Sequence, residues 1–201
     1  MHKKKSMKIL SIQGSPRPNG NSAAIAKRFC DTAKNHGADI ECFILNAMHY
    51  KGCQGCMACK TKQECCVIKD DVTAVLQQVQ TADVLVLSSP VYWGDLSSQM
   101  KGFIDRMYSF LKPDYMTAQC KSRLKTGKKL VLVLCQEDPP EEHADIFPRY
   151  AFFFDWLGFS ESHLIRACSV HSIGAVHKRR DILAEAEHTA AGLFKNGRIR
   201  K

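Results

Sequence analysis

Asp83-Val84-Leu85-Val86-Leu87-Ser88-Ser89-Pro90-Val91-Tyr92-Trp93-Gly94 holds the reading on which the fold turns. Val84 to Leu87 is apolar at every position, with no alternation, as in a strand buried on both faces. Such a strand belongs to a parallel sheet layered with helices. The flanking sequence supplies them. Before it, Asp70-Asp71 opens a helix through Val72, Val75, Leu76 and Val79. After it, Pro90 to Leu96 reads as a loop, followed by a helix from Ser97 to about Leu111 that buries Met100, Phe103, Ile104 and Met107.

The pattern repeats outward. Lys8 to Ile12 is a strand closed by Gly14-Ser15-Pro16, and Asn21-Ser22 caps a helix to about His36, with Ala24, Ile25, Phe29 and Cys30 inward and Gly37 as its stop. Asp39 to Leu45 is a second strand and Lys129 to Cys135 a fourth, reached through a long polar connection over 112–127. An aromatic helix runs from Ile146 to Leu157, His163 to Val170 is a fifth strand, and 177–195 closes as a helix. Alternating strands and helices define an α/β chain. Five strands fit a flavodoxin-like three-layer sandwich, a parallel sheet of order 2-1-3-4-5 with helices on both faces, better than the six of a dinucleotide fold. The expectation is a single domain over 7–195, carrying a cysteine loop at 52–66, with basic tails at 1–6 and 196–201.

Composition agrees. The 201 residues are 45% hydrophobic and 24% charged, ordinary for a globular protein, and no apolar run approaches a membrane span. Met1-His2-Lys3-Lys4-Lys5 looks like the start of a signal peptide, but Ile9 to Ile12 is too short an apolar core, so a cytoplasmic location is expected. Seven of the cations behind the net charge of +9 sit in residues 1–6 and 195–201, leaving +2 for residues 7–194. That argues against a nucleic-acid face.

In a doubly wound sheet the ligand lies beyond the carboxyl ends of the strands, beside strand 1. The loop there, Gly14-Ser15-Pro16-Arg17-Pro18-Asn19-Gly20-Asn21-Ser22, has an arginine, hydroxyl and amide side chains and no acid, all leading into a helix N-terminus. Free N–H groups, the helix dipole and a guanidinium suit a phosphate. Neither G-x-G-x-x-G nor a P-loop Lys-Ser/Thr is present, so a mononucleotide is favoured. Across the switch point, Tyr92-Trp93-Gly94 offers apolar faces and close-lying backbone amides to a flat ring such as an isoalloxazine. The competing reading is that Tyr92 and Trp93 cap the core or lie in a subunit interface.

Five of the chain's ten cysteines fall at 53, 56, 59, 65 and 66. Four make C-x2-C-x2-C-x5-C (Cys53, Cys56, Cys59, Cys65), a spacing that admits an iron–sulfur cluster, zinc or disulfide exchange. Cys66 is a spare, or a ligand in place of Cys65. Cys30, Cys42, Cys120, Cys135 and Cys168 read as small packing residues. The histidines, among them His143, His163, His171 and His177, show no ligand spacing and read as surface or core residues.

Taken together, G-S-P-R-x-x-G-N-S, S-P-V-Y-W-G and the later Met100-Lys101-x-Phe103-x-Asp105-Arg106 resemble the NAD(P)H-dependent FMN reductase group of flavodoxin-like proteins. With the cysteines, the chain is similar to the iron–sulfur flavoprotein branch. The resemblance implies FMN, its phosphate at Ser15, Arg17, Asn21 and Ser22 and its ring against Pro90, Val91, Tyr92, Trp93 and Gly94. It also implies a homodimer or homotetramer, and NAD(P)H as a co-substrate. The acidic stretch Gln136 to Glu142 departs from the Gly- or Thr-rich loop of many relatives and bears on nicotinamide access. Beside a flavin, four thiolates with this spacing suit a [4Fe–4S] cluster, and Gly55 permits the tight wrap. The expected function is an FMN oxidoreductase exchanging electrons with that cluster and with ferredoxin or a small molecule; no side-chain nucleophile is required. A cluster-free NAD(P)H-dependent FMN or quinone reductase is the alternative, and a non-enzymatic metal or redox sensor is a third.

Overall fold

Residues 6–195 are described by the computed structural model. The expected basic tails therefore lie outside the described residues, except for Ser6. The apolar run that opens β3 (Val84–Tyr92) divides by parity: Val84 and Val86 enter one core, Leu85 and Leu87 the opposite one. β5 (Lys128–Cys135) does the same, with Val131 and Val133 on the first side and Leu130, Leu132 and Leu134 on the second. Side chains alternate across a strand, so a sheet with two buried faces shows no polar position to betray its period.

On the valine face lie α1 (Asn21–Asn35) and α6 (Arg180–Lys195), contributing Ile25, Phe29, Ile182, Ala186 and Leu193. On the leucine face lie α3 (Asp71–Thr81), α4 (Ser98–Arg106) and α5 (Ile146–Trp156), with Val72, Val75, Met100, Phe103, Ile146 and Phe154. A one-turn helix, α2 (Ala58–Thr61), sits in the cysteine loop and was not signalled by the sequence.

β1 (Lys8–Gln13) pairs in parallel with β2 (Asp39–Ile44) and β3, and β6 (Phe159–Ala167) pairs in parallel with β5. The order β2-β1-β3-β5-β6 is the expected doubly wound one; a two-residue antiparallel strand, β4 (Asp95–Leu96), hangs on β3. Two expectations shift. The segment read as a loop from Pro90 is the end of β3 and a tight hairpin. The last strand begins at Phe159 instead of His163, directly after Gly158 (φ +96°). As an edge strand it leaves Ser160 to Ser162 partly exposed, so its first half carries the polarity of a turn.

Candidate functional site

Two loops at the carboxyl end of the sheet meet in one cleft. After β1 the chain turns at Ser15, whose hydroxyl bridges the backbone N–H (3.1 Å) and carbonyl (3.0 Å) of Arg17. A Cβ on Gly20 would lie 2.8 Å from Ser15 Oγ and 3.1 Å from the Arg17 carbonyl, so only glycine closes this turn. α1 then begins with Gly20 as N-cap, no side-chain cap and no acid in its first turn, leaving its first N–H groups for an anion. The Ser22 hydroxyl is buried at this point with no protein partner. A buried unpaired hydroxyl costs roughly 1–3 kcal/mol, which a bound acceptor would recover. Arg17 is exposed at the rim. The Asn21 side chain already has protein partners. Its Nδ2 donates to the Ser172 carbonyl (2.9 Å) and its Oδ1 accepts from Val176 N (3.3 Å), so it ties α1 to the segment after β6.

The ring-loop residues form a two-residue hairpin. Val91 pairs with Leu96 and Tyr92 with Asp95, which leaves Trp93 (φ 49°) and Gly94 (φ 74°) as the turn. Both positive values belong to the mirror-image turn that suits strand twist, where Asn-Gly is the usual choice. A tryptophan there is strained, and its side chain is fully exposed.

A buried serine cluster fixes the two loops to each other. Ser97, the N-cap of α4, donates its hydroxyl to the Gly14 carbonyl (2.7 Å), accepts from Met100 N (3.3 Å), and gives its backbone N–H to Ser89 Oγ (2.9 Å). Gly14 N in turn donates to the Ser88 carbonyl at 2.8 Å. A Cβ on Gly14 would strike Met100 Cβ at 2.7 Å, so the approach of α4 depends on that glycine.

Ser15, Arg17, Asn21, Ser22 and Pro90 to Gly94 all line this cleft, which has a volume of about 990 Å³. Its far wall is Gln136 to Asp138 after β5, from the acidic stretch already singled out, with His143, and His171 with Ile173 after β6, which the sequence did not point to. His143 (φ 60°) packs its ring on Gly94 and sits 3.3 Å from Asp138 Oδ2; His171 Nδ1 is 2.9 Å from Glu137 Oε1. Gln136 Nε2 donates to the carbonyls of Asp138, Pro139 and Glu142, while its Oε1 accepts from Arg166 Nε (2.9 Å). The acidic loop is thus held rigidly by one amide and one guanidinium. A phosphate cradle with an orphan hydroxyl, facing an uncovered aromatic, fits FMN.

The cysteine loop leaves the neighbouring strand, β2. Cys53, Cys56, Cys59 and Cys66 line one small cavity of about 30 Å³ beside Arg106. Cys65 lines only a neighbouring one, over Lys69, Thr73 and Leu76 of the α3 side, whose wall Cys66 and Arg106 also share. Met57 (φ 56°) and Gly55 (φ 62°) make the wrap. Among the described residues no three His, Cys, Asp or Glu side chains are arranged as ligands of one metal ion. The chemistry of the donor set nevertheless fits an anionic thiolate-bound group. Lys60 reaches the Tyr108 and Leu111 carbonyls (2.6 and 2.7 Å), Arg123 the Cys59 carbonyl (3.1 Å), and Arg106 the Cys66 sulfur (3.1 Å). Three cations therefore lie around the cysteine loop, and one of them, Arg106, donates to a sulfur. Burial pulls the Lys60 ammonium pKa down, with the Cys59 side chain opposing it. A larger groove of about 490 Å³, lined by Tyr108, Phe153 and Trp156, runs from Cys53 to Asp95 next to the hairpin.

A flavodoxin-like sheet whose acid-free helix start and aromatic hairpin line one cleft at the switch point has the architecture of FMN-binding proteins. The chain belongs to the NADPH-dependent FMN reductase family, whose model matches residues 7–135. It is similar to an iron–sulfur flavoprotein of Methanocaldococcus jannaschii, 37% identical over 100 residues that cover 50% of this chain and 51% of that protein. A second, from Archaeoglobus fulgidus, is 36% identical over 104 residues, 52% of this chain and 47% of its own length. The chain thus spans about half the length of these relatives. In fold it resembles the NAD(P)H:quinone oxidoreductase of Methanothermobacter marburgensis (TM-score 0.73, 18% identity, covering 94% of this chain and 98% of that one). It also resembles an FMN-dependent NADH-azoreductase of Bacillus anthracis in complex with FMN (TM-score 0.71, 18% identity, 92% and 99%). Among the described residues no helix is long and apolar enough to cross a membrane.

Proposed function

We propose that the chain is an FMN-dependent oxidoreductase that passes electrons between bound flavin, a [4Fe–4S] cluster on the cysteine loop and an external donor or acceptor. The observation that carries it is the single 990 Å³ cleft lined by both the phosphate loop and the Tyr92-Trp93-Gly94 hairpin. Bound flavin supplies the exchange between two-electron and one-electron carriers. The N–H groups at the start of α1, the Ser22 hydroxyl and Arg17 hold the phosphate; Ser15 shapes the turn that presents them. Tyr92 and Trp93 cover the ring, and Gly94 lets backbone approach its edge. The relatives named iron–sulfur flavoproteins and the cations around the loop support the cluster, with Cys53, Cys56 and Cys59 among its ligands.

The donor or acceptor is ferredoxin or a small molecule, NAD(P)H included. Glu137 and Asp138 on the far wall disfavour a second phosphate there. A homodimer or homotetramer is supported by the fully exposed Trp93 and the exposed Phe152 and Phe153. The cytoplasm, as a reducing compartment, suits ten cysteines. The test is a visible spectrum with iron and sulfide analysis on anaerobically prepared protein, for which about four iron per chain are expected. Iron-free anaerobic protein leaves the second reading, which the matching family supports: a cluster-free NAD(P)H-dependent FMN or quinone reductase. In that case NAD(P)H bleaches the bound flavin in stopped flow.

A further inference from the structure

The geometry points to Cys66, in preference to Cys65, as the fourth thiolate of the cysteine pocket, and to Arg106 as the residue that positions it. This rests on the reading of that pocket as a cluster site. Cys66 lines the cavity of Cys53, Cys56 and Cys59 as well as the neighbouring one, whereas the adjacent Cys65 lines only the neighbouring one and its sulfur accepts from Gln63 Nε2 at 3.4 Å. Spacing cannot separate the two, since five or six intervening residues after Cys59 both reach. Burial and hydrogen bonding can.

Arg106 is 1% exposed, the largest fully buried side chain of the described residues. Its Nε donates to Cys66 Sγ (3.1 Å), Nη1 to the Lys51 carbonyl (2.9 Å) and to Asp70 Oδ2 (2.7 Å), and Nη2 to the Ile68 carbonyl (3.1 Å). These acceptors lie on both sides of the cysteine loop, so the guanidinium clamps the loop's two ends and cannot rotate away from the sulfur. Asp70 balances its charge. The Nε–H donor therefore meets the Cys66 sulfur in a fixed direction. An N–H donated to a ligand sulfur draws density from it and favours the more negative, reduced state of a cluster.

Cys65→Ser and Cys66→Ser test the assignment. The hydroxyl introduced at position 66 still accepts from Arg106 Nε, and thermal melting with FMN content checks that both variants fold. Iron per chain is measured after anaerobic preparation, and thiolate-to-cobalt absorption after Co(II) titration of the metal-free protein. Cys65→Ser is expected to keep the wild-type iron and cobalt intensity, and Cys66→Ser to lose most of both. The reverse pattern, or equal loss in the two variants, overturns the assignment. A wild type without iron would defeat the cluster reading alone, because the cobalt arm still decides between Cys65 and Cys66. Arg106→Lys keeps the cation but removes the Nε donor. It is expected to lower cobalt affinity about tenfold or more, and the cluster's reduction potential where iron is present. Unchanged cobalt affinity overturns the positioning role.

Discussion

Trp93 holds a left-handed backbone conformation (φ 49°) with its side chain in solvent. Such strain costs on the order of 1–3 kcal/mol and persists where function needs the side chain. Trp93→Gly is therefore expected to raise the stability of FMN-free protein by about 1 kcal/mol in urea titration, while weakening FMN binding at least tenfold. Greater stability with unchanged affinity would remove the tryptophan from the ring site. Arg17 makes the complementary prediction. A hydrogen bond to a charged group contributes about 1.5–3 kcal/mol, so Arg17→Ala should weaken FMN binding roughly 10- to 100-fold. Riboflavin, lacking the phosphate, should bind equally to both proteins by fluorescence quenching; an equal loss for both ligands means that Arg17 does not meet phosphate. The place of Arg17 and Ser22 at the cleft was legible in the sequence because a helix start without acids suits an anion. The partners of the Asn21 side chain were not, since its amide is taken by Ser172 and Val176, 151 and 155 residues away.

Elements bring these residues together through contacts that few local patterns announce. The long apolar strands and their helices could be read directly, because burial on both faces forces a continuous apolar run. The hairpin could not, because Trp-Gly is not a turn signal, and the short β4 is too small to show a period. Ser97 was read only as the start of a helix, yet it joins α4, the end of β3 and the loop after β1. Ser97→Ala removes the cap of α4 and leaves the Gly14 carbonyl without its hydroxyl donor, at a cost of roughly 1–3 kcal/mol. Urea denaturation measures it, and a loss under 0.5 kcal/mol, within the range of ordinary surface substitutions, would mean that the cluster is incidental. The acidic loop makes a dynamic prediction. Arg166 donates to Gln136 Oε1 and to the carbonyls of Pro140 and Glu142. In Arg166→Met, amide exchange should accelerate over residues 137–143 while β5 stays protected. Unchanged exchange there would place the loop's rigidity elsewhere, in Gln136 alone.

At the scale of the whole molecule, the sheet separates two cores, and protonation reports on both at once. The histidines of the far wall escaped the sequence because His143 and His171 become neighbours of the phosphate loop only through strand order, which no residue in their own loops records. Burial pushes the Cys30 thiol up from 9.0 to about 11 and the Cys135 thiol to about 12, both on the α1 and α6 side. On the opposite side burial, reinforced by the Asp70 charge, raises the Tyr50 phenol from 10.0 to about 12, and its hydroxyl donates to the Gln99 carbonyl. Each group holds its proton more tightly folded than unfolded. The stability it contributes is thus fully present below its ordinary value, 9.0 or 10.0, and is lost as pH rises toward 11–12. The melting temperature of the FMN-free protein should therefore fall steeply between about pH 9 and 12, in one transition, because the titrating groups sit on both faces of the same sheet. Removing the three protons tests the cause: the combined Cys30→Ala, Cys135→Ala and Tyr50→Phe variant melts lower at neutral pH but should lose less with added base. A variant that declines as steeply as the wild type would assign alkaline unfolding to other groups, among them the Tyr108 and Tyr150 phenols that burial also raises, or to the loss of lysine charge.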